Sequence, residues 1–413
     1  MPRSLLPLIV AGLVAGGGGN ASADEAAVTT LDEGQFVAAL EAADPRLRRL
    51  AAEVDAARAD VAIEGIRPNP SVSLEREQLF PDGGGAATHY ARLSYPLDVS
   101  GRRGRRTSAA RTATAAVAAD ADASRFSIIV DGLRVFNEAA YARLRVELTR
   151  AERDTLVRVV DVVRSRTGAG ATSGYDLQRF ELELAAYDDA IASAETQLFE
   201  LRARLAALVG RAEQVDAVSS LELPAPPAPS EAGLSSVLEG RSDHRAARLR
   251  AKSADQRAGA AARGWIPDLG LSAGIMASDL GDETALGYTA GLTFTLPIFD
   301  RGGALGAQAR AARRVAEAEA WVIESQVTVA VRARRTTLER RIEQSRVHAA
   351  AQLARLPDLL RAAETGYREG ESSVVELLDA YQTARDARLR DLELRRDARL
   401  AELDLWLALG RRP

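Results

Sequence analysis

Between Arg105 and Thr167 the chain carries no proline and a single glycine, Gly132, while alanine, arginine, glutamate, leucine and valine fill much of the remainder. These are mostly good helix formers, and nothing in the covalent chemistry ends a helix before Gly168. Roughly sixty helical residues at ~1.5 Å each make a rod about 90 Å long, several times the usual globular length. Such a rod cannot belong to a compact domain with one core. Its apolar content is also thin. Leu156, Val159, Val160 and Val163 fall at i, i+3, i+4 and i+7, one narrow stripe flanked by charge. A stripe of that width asks for neighbouring helices.

The chain has 413 residues, a length that by itself suggests two or three domains, but the long rods argue for one elongated unit. Acidic and basic residues nearly cancel to a formal charge of -4, so no basic field favours nucleic acid as a partner. The absence of cysteine excludes disulfides, thiolate metal sites, a cysteine nucleophile and a lipid anchor on an N-terminal cysteine. His89, His244 and His348 stand in three different segments and read as ordinary packing or surface residues. No His/Cys/Asp/Glu cluster has ligand spacing, and no nucleophile motif or phosphate loop occurs, so neither a bound metal, a cofactor nor an enzyme is expected.

Residues 1–23 read as an export signal: Arg3 supplies the positive start, Leu5 to Val14 the apolar core, and Ala21-Ser22-Ala23 a small-residue cleavage site. The apolar run is too short to span a bilayer as a helix, and no later stretch approaches the required ~20 apolar residues. An exported chain of this kind either stays in solution or enters a membrane as β-strands.

Past the leader, Asp44-Pro45-Arg46-Leu47 opens a helix ending near Gly65, which Pro68 and Pro70 stop. Strands are expected at about 71–79 and 89–97 around Pro81-Asp82-Gly83-Gly84-Gly85, then the long helix at about 103–167, a turn, and a return helix over 175–209. A proline-rich linker occupies 211–230. The same grammar then repeats over 231–413, with strands at about 268–278 and 286–297, a long helix at about 304–367 and a return helix over 374–409. Gly101 matches Gly302, Gly170 matches Gly370, Leu177 matches Leu377, and Leu208-Val209-Gly210 matches Ala408-Leu409-Gly410. The offset stays near two hundred residues, which makes 24–210 and 231–413 a duplication.

The strands alternate. Leu269, Leu271, Ala273, Ile275 and Ala277 share one side, as do Tyr288, Ala290, Leu292, Phe294 and Leu296. Their length and period are those of membrane-barrel strands. The first pair is less regular: Val72 and Leu74 point one way, but Glu75, Arg76 and Glu77 must lie near or beyond the membrane interface. A soluble two-sheet packing face is the other reading of these strands. Four strands cannot close a membrane barrel, whose minimum is about eight, and open edges are forbidden in lipid. In a bilayer, several copies must therefore share one wall.

At this point the chain resembles the TolC-like outer-membrane efflux protein family over essentially all of its mature length. The resemblance rests on the duplicated plan, on Arg67-Pro68-Asn69-Pro70 before the first strand, and on Gly366-Tyr367-Arg368-Glu369-Gly370 followed by Val375-Glu376-Leu377-Leu378-Asp379-Ala380. It implies a mainly α fold with a four-stranded β segment. It further implies a homotrimer with a twelve-stranded outer-membrane β-barrel in lipid, continued by a periplasmic α-helical barrel. Implied partners are a periplasmic membrane-fusion adaptor and an inner-membrane RND transporter. Arg67-Pro68-Asn69-Pro70, and Tyr95-Pro96-Leu97-Asp98 followed by Gly101-Arg102-Arg103-Gly104-Arg105-Arg106, are nearest to the cation-efflux (Czc-type) members, which makes a metal the passenger. The alternatives are a drug-efflux or type I secretion channel and, in another class, a soluble periplasmic coiled-coil scaffold.

By motif position the resemblance also assigns residues. Gly170, Ala171 and Thr172, with Gly370, Glu371 and Ser372, form the hairpin tips where an adaptor docks, although the same residues serve plain helix-turn chemistry. Tyr367 and Asp176 form a gate link, and Ser372 stands where the family has a basic residue. Glu376 and Asp379, three apart on one helix face, form an acidic pore collar. Pro357 predicts a helix kink that only the second hairpin carries, with iris-like opening of the mouth as the consequence.

Overall fold

The computed structural model describes residues 28–80, 86–169, 173–226, 234–279 and 283–412. The expected leader, the turn Pro81 to Gly85, the linker prolines Pro227 and Pro229 and the tip residues Gly170, Ala171 and Thr172 lie outside the described residues.

In chain order the elements are β1 (Thr29–Leu31), α1 (Glu33–Ala43), α2 (Pro45–Gly65), β2 (Ser71–Leu79), β3 (Ala86–Leu97), α3 (Arg102–Gly168) and α4 (Gly174–Leu208). There follow β4 (Val215–Ala217), α5 (Leu234–Gly240), α6 (Ser242–Ala261), β5 (Asp268–Asp279), β6 (Thr284–Thr295), α7 (Gly303–Ala351), α8 (Leu356–Glu369) and α9 (Val374–Leu409). The succession of helix, hairpin, long helix and return helix thus occurs twice. Each long helix starts from a glycine in the left-handed region, Gly101 at φ 64° and Gly302 at φ 80°. At Gly302 a side chain is excluded twice over, because a Cβ there would lie 2.2 Å from the Ala261 carbonyl oxygen.

The first long helix, α3, runs 67 residues without a break. The second differs from the single helix expected over about 304–367. It stops at Ala351, passes through a 3₁₀ turn at Leu353–Arg355, and resumes as α8 with Pro357 in its first turn. Proline has no N–H to give the ladder, and its ring clashes with the carbonyl four residues back, so the interruption falls on the residues just before it. Strand β6 ends at Thr295, two residues short of the expected 297. Pro297 cannot donate to a ladder, and the chain turns there with the Ile298 amide donating to the Leu296 carbonyl at 2.9 Å.

The two hairpins form one antiparallel sheet in the order β2-β3-β5-β6. Its register sorts the side chains into rows. Leu74, Ala91, Ile275 and Tyr288 stand in one row, Val72, Leu93, Ala273 and Ala290 in the next, then Tyr95, Leu271 and Leu292, then Leu97, Leu269 and Phe294. One face is therefore apolar across all four strands, yet open to solvent in the single chain: Leu74 is 80% and Tyr288 85% exposed. The opposite face carries Ser73, Arg92 and Thr289 in one row and Glu77, Thr88 and Ser278 in another, with Thr88 and Ser278 hydroxyls 3.1 Å apart. Glu75 and Glu77 sit on this polar face, since the period of two puts them opposite Leu74. Glu77 there accepts from the Tyr90 hydroxyl at 3.2 Å. Arg76 joins the apolar face, in the row of His89 and Leu286, and the next row out on that face is Gln78, Ala87, Asp279 and Thr284.

The main core lies where α1, α3, α4 and α9 meet, around Phe36, Leu40, Phe136, Leu205 and Trp406. A parallel pair, β1 with β4, closes over it, so the start of the described chain and the segment after the first repeat are joined. Arg399 and Arg412 both reach Glu33, at 2.7 and 3.2 Å, which ties the C-terminal helix to the same place. A second core, around Leu156, Val160, Val163, Phe180, Leu377 and Leu378, lies toward the hairpin tips.

Candidate functional site

Both helical hairpins end in the same local construction. The amide of Asp176 donates to Ser173 Oγ at 3.2 Å while the Ser173 amide donates back to Asp176 Oδ2 at 3.4 Å. Ser373 and Glu376 repeat this at the start of α9, at 3.2 and 2.7 Å. Each is a reciprocal cap that satisfies two otherwise unpaired amides of a helix start. Asp176 and Glu376, to which the resemblance gives two different roles, thus do one local task in the two repeats. The hydrogen bonds described for the Asp176 carboxylate are those with Ser173.

Between α8 and α9, Gly370 adopts φ 81°, and the amides of Glu371 and Ser372 donate to the Gly366 carbonyl at 2.8 and 3.1 Å. This left-handed exit is the reason for glycine at 370. Ser372 folds inward, because a Cβ on Gly366 would lie 2.4 Å from its hydroxyl. Glu376 and Asp379 are both exposed on α9, while Leu377 and Leu378 between them are buried. Tyr367 is buried. Nη1 of Arg166, from the last turn of α3, donates to its carbonyl at 2.6 Å, and the guanidinium carbon stands 4.7 Å from its ring centroid.

Above the tips a second layer joins the hairpins. Arg385 of α9 pairs with Glu183 of α4 at 2.9 Å and lies over the Tyr187 ring at 5.1 Å, and Gln382 donates to the same carboxylate at 2.8 Å. Arg388 pairs with Glu152 of α3, which is 6% exposed. Tyr381 donates to Glu364 of α8 at 2.6 Å. Burial pushes the Tyr187 phenol up to about 12. Burial, followed by the bond to Glu364, raises Tyr381 too. Both phenols are therefore neutral at physiological pH, and Tyr381 serves as a donor. A buried carboxylate that lost its arginine would be an uncompensated charge, so Glu152 ties α3 to α9, and the half-buried Glu183 adds a link from α4 to α9.

The sequence-predicted tip residues Gly370, Glu371 and Ser372 fall together, with Tyr367, Glu376 and Asp379 within two turns of them and Pro357 one helix length above. Arg166, Glu183, Arg385 and Arg388 are not singled out by sequence reasoning. With 27% of residues charged, carboxylate and guanidinium pairs are expected on any rod. The available signal is slight: Arg385 and Arg388 are three apart and so share a helix face. Among the described residues no group of three His, Cys, Asp or Glu stands close enough to hold a metal ion, and no helix is long and apolar enough to cross a membrane.

Residues 37–211 and 233–411, one stretch in each repeat, match the family described as outer membrane efflux protein. The chain belongs to this family. Members are trimeric outer-membrane channels extending into the periplasm, and they work with adaptors and inner-membrane transporters. The family is one of channels and not of enzymes. Among relatives, the nickel-cobalt-cadmium resistance protein NccC of Alcaligenes xylosoxydans is 27% identical over 62% of this chain and 59% of its own, so the match spans less than two thirds of that protein. The cobalt-zinc-cadmium resistance protein CzcC of Cupriavidus metallidurans is 26% identical over 84% of this chain and 82% of its own. In structure, the outer membrane protein VceC of Vibrio cholerae superposes with a TM-score of 0.73 at 20% identity, covering 92% of this chain and 96% of that one. The fold of this efflux protein is therefore that of the known outer-membrane channels.

Proposed function

We propose that this protein is the passive exit duct of a tripartite RND-type efflux system, and that its cargo is heavy-metal cations. The channel reading is carried by the sheet: four strands whose one face carries four successive apolar rows, largely exposed, giving way to polar residues only toward the hairpin turns, with unpaired edges at β2 and β6. Backbone groups at such edges must be paired before the sheet can lie in lipid. Three copies joined edge to edge supply twelve strands and carry their helices on as a tube. The cargo reading is supported by the two metal-resistance relatives. The metal is substrate and passes through.

In this reading the tips at Gly370-Glu371-Ser372, with their counterparts Gly170-Ala171-Thr172, receive the periplasmic adaptor. Glu376 and Asp379, repeated around the axis, form a negative collar that favours cations. Tyr367 and Asp176 link neighbouring hairpins, and the interruption before Pro357 lets the second hairpin bend when the mouth widens. A strain lacking the gene tests the assignment against zinc, cobalt, cadmium, copper and a panel of drugs. Metal tolerance is expected to fall and to return with the intact gene, but not with a Gly370→Val variant whose tip turn cannot form. Unchanged metal tolerance beside lost drug tolerance would assign the duct to organic cargo instead.

A further inference from the structure

Toward the hairpin turns, the apolar face of the sheet carries a cation. Arg76 on β2 and His89 on β3 are cross-strand partners, one row beyond Leu74 and Ala91 and on the same side of the sheet. Both are exposed. The carboxylates beside them in sequence lie on the opposite side, where Arg92 pairs with Glu75 at 3.5 Å and Tyr90 donates to Glu77. On the apolar side the strands carry one carboxylate, Asp279, a row farther out. The Arg76 guanidinium donates to Gln78 Oε1 at 2.7 Å, a neutral acceptor, and among the described residues no carboxylate pairs with it. Its charge and most of its donors therefore face outward from the sheet.

In the channel reading the helices lie on the periplasmic side, so the strand turns, and with them Arg76 and His89, lie toward the outer leaflet. From Leu97 to His89 along β3 is about 27 Å at ~3.4 Å per residue. A strand tilt of ~40° makes this ~20 Å across the membrane, close to the edge of an apolar band ~25 Å tall. An arginine facing lipid is costly at mid-membrane and tolerated at such an edge, where phosphate groups can pair with it. Beside it the small, half-buried Ala91 and Ala277 leave a hollow of about 400 Å³ between Leu74 on β2 and Leu286 on β6. Arg76 and His89 themselves line this hollow, so a planar fork suited to phosphate and an imidazole stand at the end of an apolar slot. The phosphate of an outer membrane's outer leaflet is carried on glycolipid, which decides the occupant.

We propose that Arg76, His89 and the adjoining hollow bind a phosphorylated glycolipid of the outer leaflet, with its phosphate on the guanidinium and the imidazole and an acyl chain over Ala91 and Ala277. This rests on the channel reading above. Full-length trimers, stripped of lipid by detergent exchange and titrated with bisphosphorylated lipid A, test it by native mass spectrometry, which reports assembly and bound lipid together. Wild-type trimers are expected to bind lipid A more tightly than dephosphorylated lipid A or phosphatidylglycerol. Arg76→Gln is expected to weaken lipid A about tenfold, the loss of one charge-assisted hydrogen bond. Arg76→Lys, a point charge without the fork, falls between. Ala277→Leu keeps both donors but fills the hollow, and is expected to weaken lipid A severalfold. Lipid A affinity unchanged in assembled Arg76→Gln or Ala277→Leu trimers would overturn the site, as would dephosphorylated lipid A or phosphatidylglycerol binding as tightly as lipid A. Should Arg76→Gln not assemble, Ala277→Leu alone decides. A wild-type protein that forms no trimer and enters no bilayer would instead contradict the channel reading, and the site with it.

Discussion

At the scale of single residues the two tips are capped by the same pair of bonds, and this separates charge from folding at Glu376. Glutamine at the third helical position keeps the reciprocal cap that glutamate makes with Ser373. Glu376→Gln with Asp379→Asn therefore removes the proposed collar and leaves the start of α9 intact. The reversal potential of the double variant under a salt gradient is expected to lose its cation preference, with trimer stability changed by no more than about 0.5 kcal/mol, as for surface substitutions. An unaltered reversal potential would remove these two carboxylates from ion selection. Sequence reasoning takes the tip residues through Ser372 and passes over Ser373, although Ser373 and Glu376 stand three apart before an apolar run, the spacing of a reciprocal cap. The arginine links were not legible in advance. Whether Arg166 meets a carbonyl of α8 or open water depends on how two helices 200 residues apart lie together, and no local pattern encodes that.

At the scale of elements, the one glycine inside the long stretch marks the closest approach of another helix. A Cβ on Gly132 would lie 2.7 Å from Leu40 Cδ2 and 3.4 Å from Phe36 Cε1, both on α1 and both fully buried. For alanine the helix propensity gained, about 1 kcal/mol, opposes a crowding that a leucine methyl can partly relieve, so Gly132→Ala is expected to be near neutral. Valine adds two further methyl groups against the same wall, and Gly132→Val should destabilise by about 2 kcal/mol. Heat dissociation of the two variants checks this ordering, and valine as stable as alanine would mean that α1 does not seat there. Helix and strand periods made the elements themselves readable, from α3 to the alternating faces of β5 and β6. The break between α7 and α8 was readable only as a proline, whereas the interruption extends over Gln352 to Arg355, the residues just before the ring.

At the scale of the whole molecule, the duplicated plan places two hairpins side by side in one sheet and two helical hairpins side by side below it. The offset near two hundred residues that links Gly101 to Gly302 in the sequence reappears as two long helices that start from the same left-handed glycine. The sheet of a single chain exposes its apolar face and leaves β2 and β6 unpaired on its outer edges, so the fold is complete only in an assembly. That requirement follows from strand number and from the energetics of backbone groups in lipid, and it is the claim on which the conduit rests. The mass of the protein, extracted from outer membranes in mild detergent and corrected for bound detergent, tests it most directly. Three times the mass of one chain, recovered only with detergent, is the predicted result; a monomer released into buffer without detergent would contradict it.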